Sequence, residues 1–403
     1  MTRSILLPLS VSLLALGSGA SAQQQSDDQS NIVVTARSLE NTSRDLAACL
    51  ERGCPPEEDI AASLAYAENL FVAGEYRDAS SILRKAIGRN SRYDERLPEE
   101  VSGLYRAYSR VSEHLGEANS FKLATLDARD ALEAGFDDND PRVLLADLDV
   151  GDSRAKLGHP DDARVIYERV EKEALAAGQP RVATYARLRQ ALLDDSRFVT
   201  TRNDVYRRRF VQQLQEIRQK PLEGAEDLGL IADVMLARVD RRDGKDASTE
   251  DLIRRFAERG GVKRPMLLYS APLYTDADLD RESARPNSGN ARLTSLSRNH
   301  PTWADVAFWV NADGVVEDFE VLRSQGETGW LDQVKRHVNS RRYAPVARDG
   351  EIPGFYIIER YTITQRFAQT TGTRLRVREP VQRIERLDLT PENYEQPALT
   401  QTS

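Results

Sequence analysis

The chain has 403 residues, a formal net charge of −8, and 40% hydrophobic against 30% charged residues. These values are typical of a globular protein with room for two or three domains, and they exclude a fibrous or wholly disordered chain. The acidic balance gives no electrostatic reason to expect a nucleic-acid partner.

The first residues predict an export signal. Arg3 precedes an apolar run at Ile5–Leu16, and Ala20-Ser21-Ala22 fits the small-x-small cleavage pattern. The run has twelve residues, fewer than the roughly 20 that a membrane-spanning helix needs. We therefore expect cleavage after Ala22 of a signal peptide at residues 1–22, and no stable membrane insertion of the mature chain.

Residues 23–56 are predicted to form a flexible N-terminal segment that contains one short β-rich stretch, Asn31–Arg37. The centre of this stretch consists of Ile32, Val33, Val34, Thr35 and Ala36. It resembles the TonB box of outer-membrane TonB-dependent receptors, a segment near their mature N-terminus that pairs with TonB. The resemblance implies a strand that adds to a partner's sheet. An ordinary short strand or an aggregation-prone segment is the alternative.

Cys49 and Cys54 are the two cysteines of the chain. In an exported protein such cysteines are expected to pair, so we predict a structural disulfide just before the first helical repeat. The four histidines are scattered and have no Cys or carboxylate at metal-ligand spacing. The sequence therefore predicts neither a metal site nor a cofactor.

Residues 57–260 are predicted to form a helical repeat domain. Gly74, Gly116 and Gly158 recur at a spacing of 42 residues. Small and large residues recur around these glycines: Ala67, Tyr76, Ala79, Leu83 and Ala86; Tyr108, Leu115, Phe121 and Ala124; Gly151, Ala163 and Tyr167. The spacing resembles that of tetratricopeptide repeats, although their period is nearer ~34 residues. The resemblance implies helix pairs that bury their apolar stripes by stacking on one another.

The concave side of tetratricopeptide arrays holds extended peptides or partner helices. Tyr66, Tyr105, Tyr108 and Arg154 are the candidates to line such a surface here, with packing or ordinary surface as the alternative for each.

Further helices are predicted at residues 181–196, 204–220, 228–238 and 249–259. Thr249 is the expected N-cap of the last of them. Gly260-Gly261 then ends the helical domain, as glycine does at helix C-termini.

Residues 261–368 predict a small domain with a different pattern. Val306, Phe308 and Val310 alternate with smaller or aromatic residues, which is the period of a half-buried strand. A turn at Asp313-Gly314 precedes a second β-rich run at residues 316–322, and a helical pattern follows at residues 331–338. A long third strand is predicted at residues 355–367. The fold class is therefore α+β: a helical-repeat solenoid followed by a three-stranded antiparallel sheet with one packed helix, and then a polar tail at residues 369–403.

This order of elements, with its residues, resembles the C-terminal domain of TonB, the periplasmic energy transducer of Gram-negative bacteria. The resemblance is carried by Val306, Phe308, Val310, Asp313, Gly314, Val316, Val321, Leu322, Ser324, Leu331, Asp332, Tyr343, Pro345, Asp349, Gly350 and Pro353. Upstream, Pro272-Leu273-Tyr274 echoes the entry segment of the family, but Thr275 stands where a second proline is usual. About a quarter of the chain is covered.

In the TonB family the final strand accepts an extended peptide by β-augmentation. Carried over, the binding edge consists of Tyr356, Ile358, Arg360, Tyr361, Thr362 and Ile363. Phe355, Ile357, Tyr361 and Ile363 form the more apolar face, which we expect to pack against Leu331 and Val334. An edge that is covered by the C-terminal tail, or used for self-pairing, is the alternative.

The sequence contains no phosphate-binding loop, metalloprotease helix or serine-nucleophile motif, so we do not expect an enzyme. The favoured function is a periplasmic adaptor that binds protein partners, either TonB-system components or a second copy of itself. The alternative is a membrane-anchored TonB-type energy transducer whose N-terminal segment is not cleaved.

Overall fold

The computed structural model describes residues 36–273, 302–347, 353–369 and 376–390, with only the backbone for residues 36–38, 364–369 and 376–383. Within these ranges, twelve α-helices and six strands confirm the α+β class, with the helices stacked ahead of the sheets. No helix of the described part is long and apolar enough to cross a membrane. The signal peptide expected at residues 1–22 lies outside the described residues.

The helical domain is a stack of antiparallel helices. Its members are α1 (Ala36–Arg52), α2 (Pro56–Ala73), α3 (Tyr76–Asn90), α4 (Pro98–His114), α5 (Ala118–Glu133), α6 (Pro141–Lys156), α7 (Pro160–Ala176), α8 (Pro180–Thr201), α9 (Asp204–Gln219), α10 (Gly229–Arg242) and α11 (Ala247–Glu258). The last helix starts two residues before the predicted N-cap Thr249, which is buried within it. That N-cap prediction was therefore wrong.

The three aligned glycines form the turns within successive helix pairs, as the repeat predicted. Gly74, Gly116 and Gly158 have φ values of 87°, 73° and 79°. In each turn the residue after the glycine donates its backbone N–H to the carbonyl five positions back, as Glu75 does to Leu70 at 2.8 Å. This C-terminal cap needs a left-handed residue, which glycine adopts without a steric cost.

The first helix was not predicted. Residues 36–52 were assigned to the flexible segment, yet they form α1, because Leu46 and Cys49 lie on one helical face and are buried. The predicted disulfide is present: Cys49 and Cys54 are bonded across the end of this helix, with their Cα atoms 5.1 Å apart.

The C-terminal domain contains β1 (Leu267–Tyr269), β2 (Thr302–Asn311), β3 (Val316–Gln325), α12 (Leu331–Asn339), β4 (Arg342–Tyr343), β5 (Gly354–Gln369) and β6 (Arg376–Asp388). Its main sheet has the order β3-β2-β5-β6 with antiparallel neighbours, and β1 pairs with β4 separately. The expected three-stranded sheet is thus extended by a fourth strand. That strand comes from residues 376–388, which were assigned to the polar tail.

The strand β2 is buried on both faces rather than half-buried. Val306, Phe308 and Val310 lie in a core with Val334 and Val338 of α12, as predicted for that face. The opposite face is covered as well, because Trp303 belongs to the core of the first helix pair. The period of the strand was correct, but its second apolar face packs on another domain.

Both ends of the helical stack contact the C-terminal domain. At one end, Trp303 and Leu387 pack against the core formed by α2, α3 and α4. At the other end, Leu268 and Ala344 share a core with α10 and α11. The two ends of the stack are therefore fixed to the same small domain.

Gly74 is a point where these two domains touch, and it provides a test of the contact. A Cβ atom on Gly74 would lie 2.6–2.9 Å from ring atoms of Trp303, whereas one on Gly178, also at positive φ, would meet nothing within 4 Å. We expect Gly178→Ala to cost about 1 kcal/mol of stability for its φ alone. Gly74→Ala should cost about 2–4 kcal/mol, because overpacking adds to that term.

The measurement is denaturant unfolding of both variants beside the unchanged protein. Equal destabilisation by the two substitutions would mean that the contact between Gly74 and Trp303 is not tight in solution.

Candidate strand-binding site

The predicted binding edge on β5 is occupied by β6. The register runs from Glu359 opposite Asp388 to Gln369 opposite Arg376, with one irregularity between Gln365 and Phe367. Pairing continues beyond the strand, since the Leu389 backbone N–H donates to the Ile358 carbonyl at 2.8 Å. In this conformation the edge is not free, and the alternative of an edge covered by the tail is the one observed.

The sequence of β6 fits an outermost strand. Pro380 lies within it, in the stretch between the partners of Gln365 and Phe367 where the register shifts. Proline cannot donate to a ladder, so within sheets it is confined to edge strands and bulges. The proline therefore also disfavours a further strand on the outer side of β6.

The opposite edge of the sheet, β3, is poorly suited to strand addition. Its register with β2 shifts twice, and Asp318 at one of these shifts has a φ of 54°. Glu317, Asp318 and Glu320 place three acidic residues on the same short stretch. Bulges and exposed charges are the usual protection of an edge strand against unwanted pairing. Of these two strands, β5 thus has the more regular side, and β6 occupies it.

One face of β5 is clamped to the first helix pair by Arg360. This side chain is fully buried and bonds both carboxylate oxygens of Asp305, at 2.6 and 2.9 Å. It also donates to the backbone carbonyls of Phe71 at 3.0 Å and Val72 at 2.5 Å. These carbonyls belong to the last turn of α2, where helical carbonyls lack intrahelical partners and carry partial negative charge. Arg360 therefore caps a helix of one domain while paired with a carboxylate of the other.

A second arginine and a tryptophan complete this contact. Arg323 bonds Asp305 at 2.5 Å and donates to the Val72 carbonyl at 3.0 Å. The guanidinium carbon of Arg360 lies 4.0 Å from the centre of the Trp303 ring, a cation–π geometry. Asp305 and the helix-end carbonyls supply acceptors for the buried Arg360, whereas the Arg323 side chain is 38% exposed and keeps contact with water.

The other face of β5 carries a separate buried network around Glu359. Arg341, which is fully buried, donates to both carboxylate oxygens of Glu359 at 2.9 Å, and Arg386 of β6 donates to it at 3.0 Å. The Tyr361 hydroxyl donates to the same carboxylate at 2.7 Å. Burial alone would raise the pKa of Glu359, but the two arginines hold it below its usual value.

The six predicted edge residues share one strand but not one environment. Ile357 and Tyr361 are buried in the sheet core with Val334, as expected, and Ile363 packs against that core. Arg360 and Thr362 are fully buried toward the helical domain, where the Thr362 hydroxyl lies 3.5 Å from that of Tyr76. Tyr356 donates to Glu320 at 2.9 Å, and the Ile358 N–H bonds the Thr390 hydroxyl at 3.1 Å. The prediction that a row of these side chains is available to a partner does not hold in this conformation.

The other predicted surfaces contribute less. Ile32, Val33, Val34 and Thr35 of the box-like segment lie outside the described residues, and Ala36 is the first residue of α1. Tyr66, Tyr105 and Tyr108 pack against the core of the first repeats, so the packing alternative holds for them, and Arg154 is half-buried on α6.

Sequence reasoning missed four residues of this site: Trp303, Asp305, His114 and Glu385. A signal was present for Asp305, because this charge interrupts an otherwise apolar strand, and charges in such positions are normally paired. His114 and Glu385 come from different domains and form an ion pair at 2.8 Å, with His114 buried. No local pattern could indicate that contact.

Comparison with known proteins adds little. No family model matches the chain, and no curated protein matches it. Among solved structures, the chain is similar to BtubC (BKLC) from P. vanneervenii, with 16% sequence identity and a TM-score of 0.40 over 60% of this chain and 99% of that one. A likeness of this extent carries no information about function.

The Arg360 contact predicts a large effect of one substitution. Arg360→Met leaves Asp305 with fewer partners and leaves two helix-end carbonyls less well satisfied, so we expect a loss of about 3–5 kcal/mol. Arg77→Met, on an exposed position of α3, should change stability by less than about 0.5 kcal/mol. Denaturant unfolding of both variants checks this. A loss below about 1 kcal/mol for Arg360→Met would contradict a tight clamp.

His337 on α12 predicts a pH dependence. Burial, and then the nearby Arg341 charge, lower the pKa of His337 from 6.5 to about 4, while its Nδ1 lies 2.6 Å from the Ala271 carbonyl oxygen. The unfolded chain therefore takes up a proton that the folded chain does not, and stability falls as the pH drops from about 6.5 toward 4.

After a discount for partial exposure, His337 should account for about 1–2 kcal/mol of the stability lost between pH 7 and pH 5. His337→Gln, which keeps a donor for Ala271, should remove this part of the pH dependence in unfolding experiments at the two pH values. An unchanged pH dependence in the variant would show that His337 is protonated as easily in the folded state.

Proposed function

We propose that this protein is a protein–protein interaction adaptor that captures an extended partner strand on the outer side of β5. In this proposal β6 is the resident strand, which a partner strand replaces. The observation that carries the proposal is the pairing of β5 with β6 from Glu359 to Gln369. It supports the idea that this edge accepts an extended segment with regular register.

Backbone hydrogen bonds would supply most of the affinity of a replacing strand, and the alternate side chains would supply specificity. The irregular, acidic β3 favours β5 over the other edge as the place of addition. The resemblance to the TonB C-terminal domain supports the same strand. We extend the proposal accordingly to partners from TonB systems or to a second copy of this chain.

We also propose that the adaptor works in the periplasm. The disulfide Cys49–Cys54 suits an oxidising compartment, and the N-terminal sequence has the pattern of an export signal. If the N-terminal residues 1–22 are not cleaved, the chain instead fits a membrane-anchored energy transducer. The mass of the mature protein separates these two: a chain that begins at Gln23 supports the adaptor, and retention of residues 1–22 favours the transducer.

A cross-strand lock tests strand capture directly. We take a chain in which the resident strand is weakened by Glu385→Ala and Arg386→Ala, called the weakened chain below. Ile363 and Ile384 face each other across β5 and β6, so Ile363→Cys with Ile384→Cys can close this edge by a disulfide. The ligand is a fluorescent peptide of residues 376–390, and the measurement is fluorescence anisotropy.

We expect saturable peptide binding to the weakened chain, and at least about tenfold weaker binding after the lock is oxidised, because the disulfide keeps the edge filled. The single variant Ile384→Cys serves as the control for the substitution itself. A second peptide spanning Asn31–Arg37 tests whether the box-like segment competes for the same edge.

Equal binding to locked and unlocked chains would place the peptide elsewhere. No binding of the 376–390 peptide at millimolar concentration would mean that β6 is a permanent part of the sheet, and it would remove this proposal.

A further inference from the structure

From the contacts of β6 we infer that the strand site selects its occupant by charge order: it takes strands with an apolar, an acidic, a basic and an apolar residue in succession. In β6 these are Ile384, Glu385, Arg386 and Leu387. The inference rests on the proposed strand capture and names the class of partner that this capture would favour.

The acidic residue and the second apolar residue of this pattern, Glu385 and Leu387, face the helical domain. Glu385 forms an ion pair with His114 at the end of α4, with a distance of 2.8 Å between Nδ1 and the carboxylate oxygen. Its charge also acts on Arg110 of α4 and Lys156 of α6: burial lowers the pKa of Arg110 and Glu385 partly opposes this, while Glu113 and Glu385 raise the pKa of Lys156 despite its burial. Leu387, two residues on and hence on the same face of the strand, packs against the core of the first helix pair.

The basic residue and the first apolar residue of the pattern, Arg386 and Ile384, lie on the side of α12. Arg386 donates to Glu359 at 3.0 Å, and the Glu359 side chain is only 5% exposed. Ile384, on the same face as Arg386, is buried in the sheet core with Val334 and Val338. The site thus offers His114 and two basic side chains, with Lys156 also paired with Glu113, to one side of the strand and a buried carboxylate to the other.

The order of the two charges matters because successive side chains of a strand point to opposite faces. Exchanging the acidic and basic residues would aim a carboxylate at the carboxylate of Glu359. It would also aim a guanidinium at the side of Arg110 and Lys156. Like charges at such distances are unfavourable, most of all where they are desolvated. The apolar positions then fix the register, since a shift by one residue would move all of them to the wrong face.

This selection also bears on the box-like segment. Ile32, Val33, Val34, Thr35 and Ala36 carry no charge at all, so they cannot form either ion pair. We therefore expect the segment to bind this site more weakly than a strand with the sequence of β6.

The test uses the full-length weakened chain and two peptides of residues 376–390 with identical composition. One has the natural sequence, and the other has E385R and R386E, so that the two charges exchange places. A third peptide with Asp388→Ala, an exposed position, is the matched control. Fluorescence anisotropy gives the Kd of each.

We expect the natural peptide to bind about tenfold or more tightly than the exchanged one, and the Asp388→Ala peptide to differ by less than about twofold. In the weakened chain with His114→Gln added, the advantage of the natural peptide should shrink, because the imidazole that contacts the acidic residue is gone. Circular dichroism and thermal unfolding of each chain establish that it is folded.

Equal affinity for the natural and exchanged peptides would overturn the charge-order inference and leave strand capture intact. Tighter binding of the exchanged peptide would overturn it too. Absence of binding by every peptide overturns strand capture itself, and the inference falls with it.

Discussion

The arrangement of the two domains depends on one group of charges, in which the buried Arg360 and the partly exposed Arg323 pair with Asp305 and cap the end of α2. A buried arginine is tolerated only when its donors have acceptors of opposite charge or polarity. For Arg360 these acceptors are Asp305 of the sheet and, from the helical domain, the carbonyls of Phe71 and Val72 and the Tyr76 hydroxyl. Neither domain alone satisfies the group, so the contact specifies how the domains meet as well as holding them together.

The contact of Arg360 with α2 also determines which residues surround the outer side of β5. Because one face of β5 is fixed to the first helix pair, the neighbouring strand β6 contacts α4 on that face, through Glu385 and His114. On the other face, β6 contacts Glu359 through Arg386. An edge that in an isolated small domain would offer only backbone groups is thus flanked by charged side chains on both faces of the strand that fills it.

Much of the fold followed from the sequence. The glycine spacing gave the helix-pair turns, because a left-handed C-terminal cap requires a residue without a Cβ atom. The alternation of apolar residues gave β2, β3 and β5, and helical spacing gave α12 with Val334 and Val338 facing the sheet. Each of these features is set by residues close to one another in the chain, so the local pattern suffices.

The errors share a different physical origin. The first helix, α1, was assigned to a flexible segment, β6 to a tail, and β2 was expected to expose one face. Leu387 of β6 and Trp303 of β2 pack on the first repeats, which are distant in sequence. The helix α1 is held by its contact with α2, where Asn69 donates to Thr42, and by the Cys49–Cys54 disulfide. Propensity carries little information about such contacts.

The candidate site divides in the same way. By itself the sequence determined that β5 is the long strand of a small α+β domain and that Cys49 and Cys54 pair, and it placed Arg360 on β5 without indicating its partner Asp305. Only the tertiary structure decided that these charges meet at the end of α2 and that residues 376–388 fill the edge of β5. The reason is that burial of a charge, and occupation of an edge, are decided by the partner that reaches it. The Phe71 carbonyl that meets Arg360 lies 289 residues away in the other domain, and β6 reaches the edge of β5 from further along the same domain.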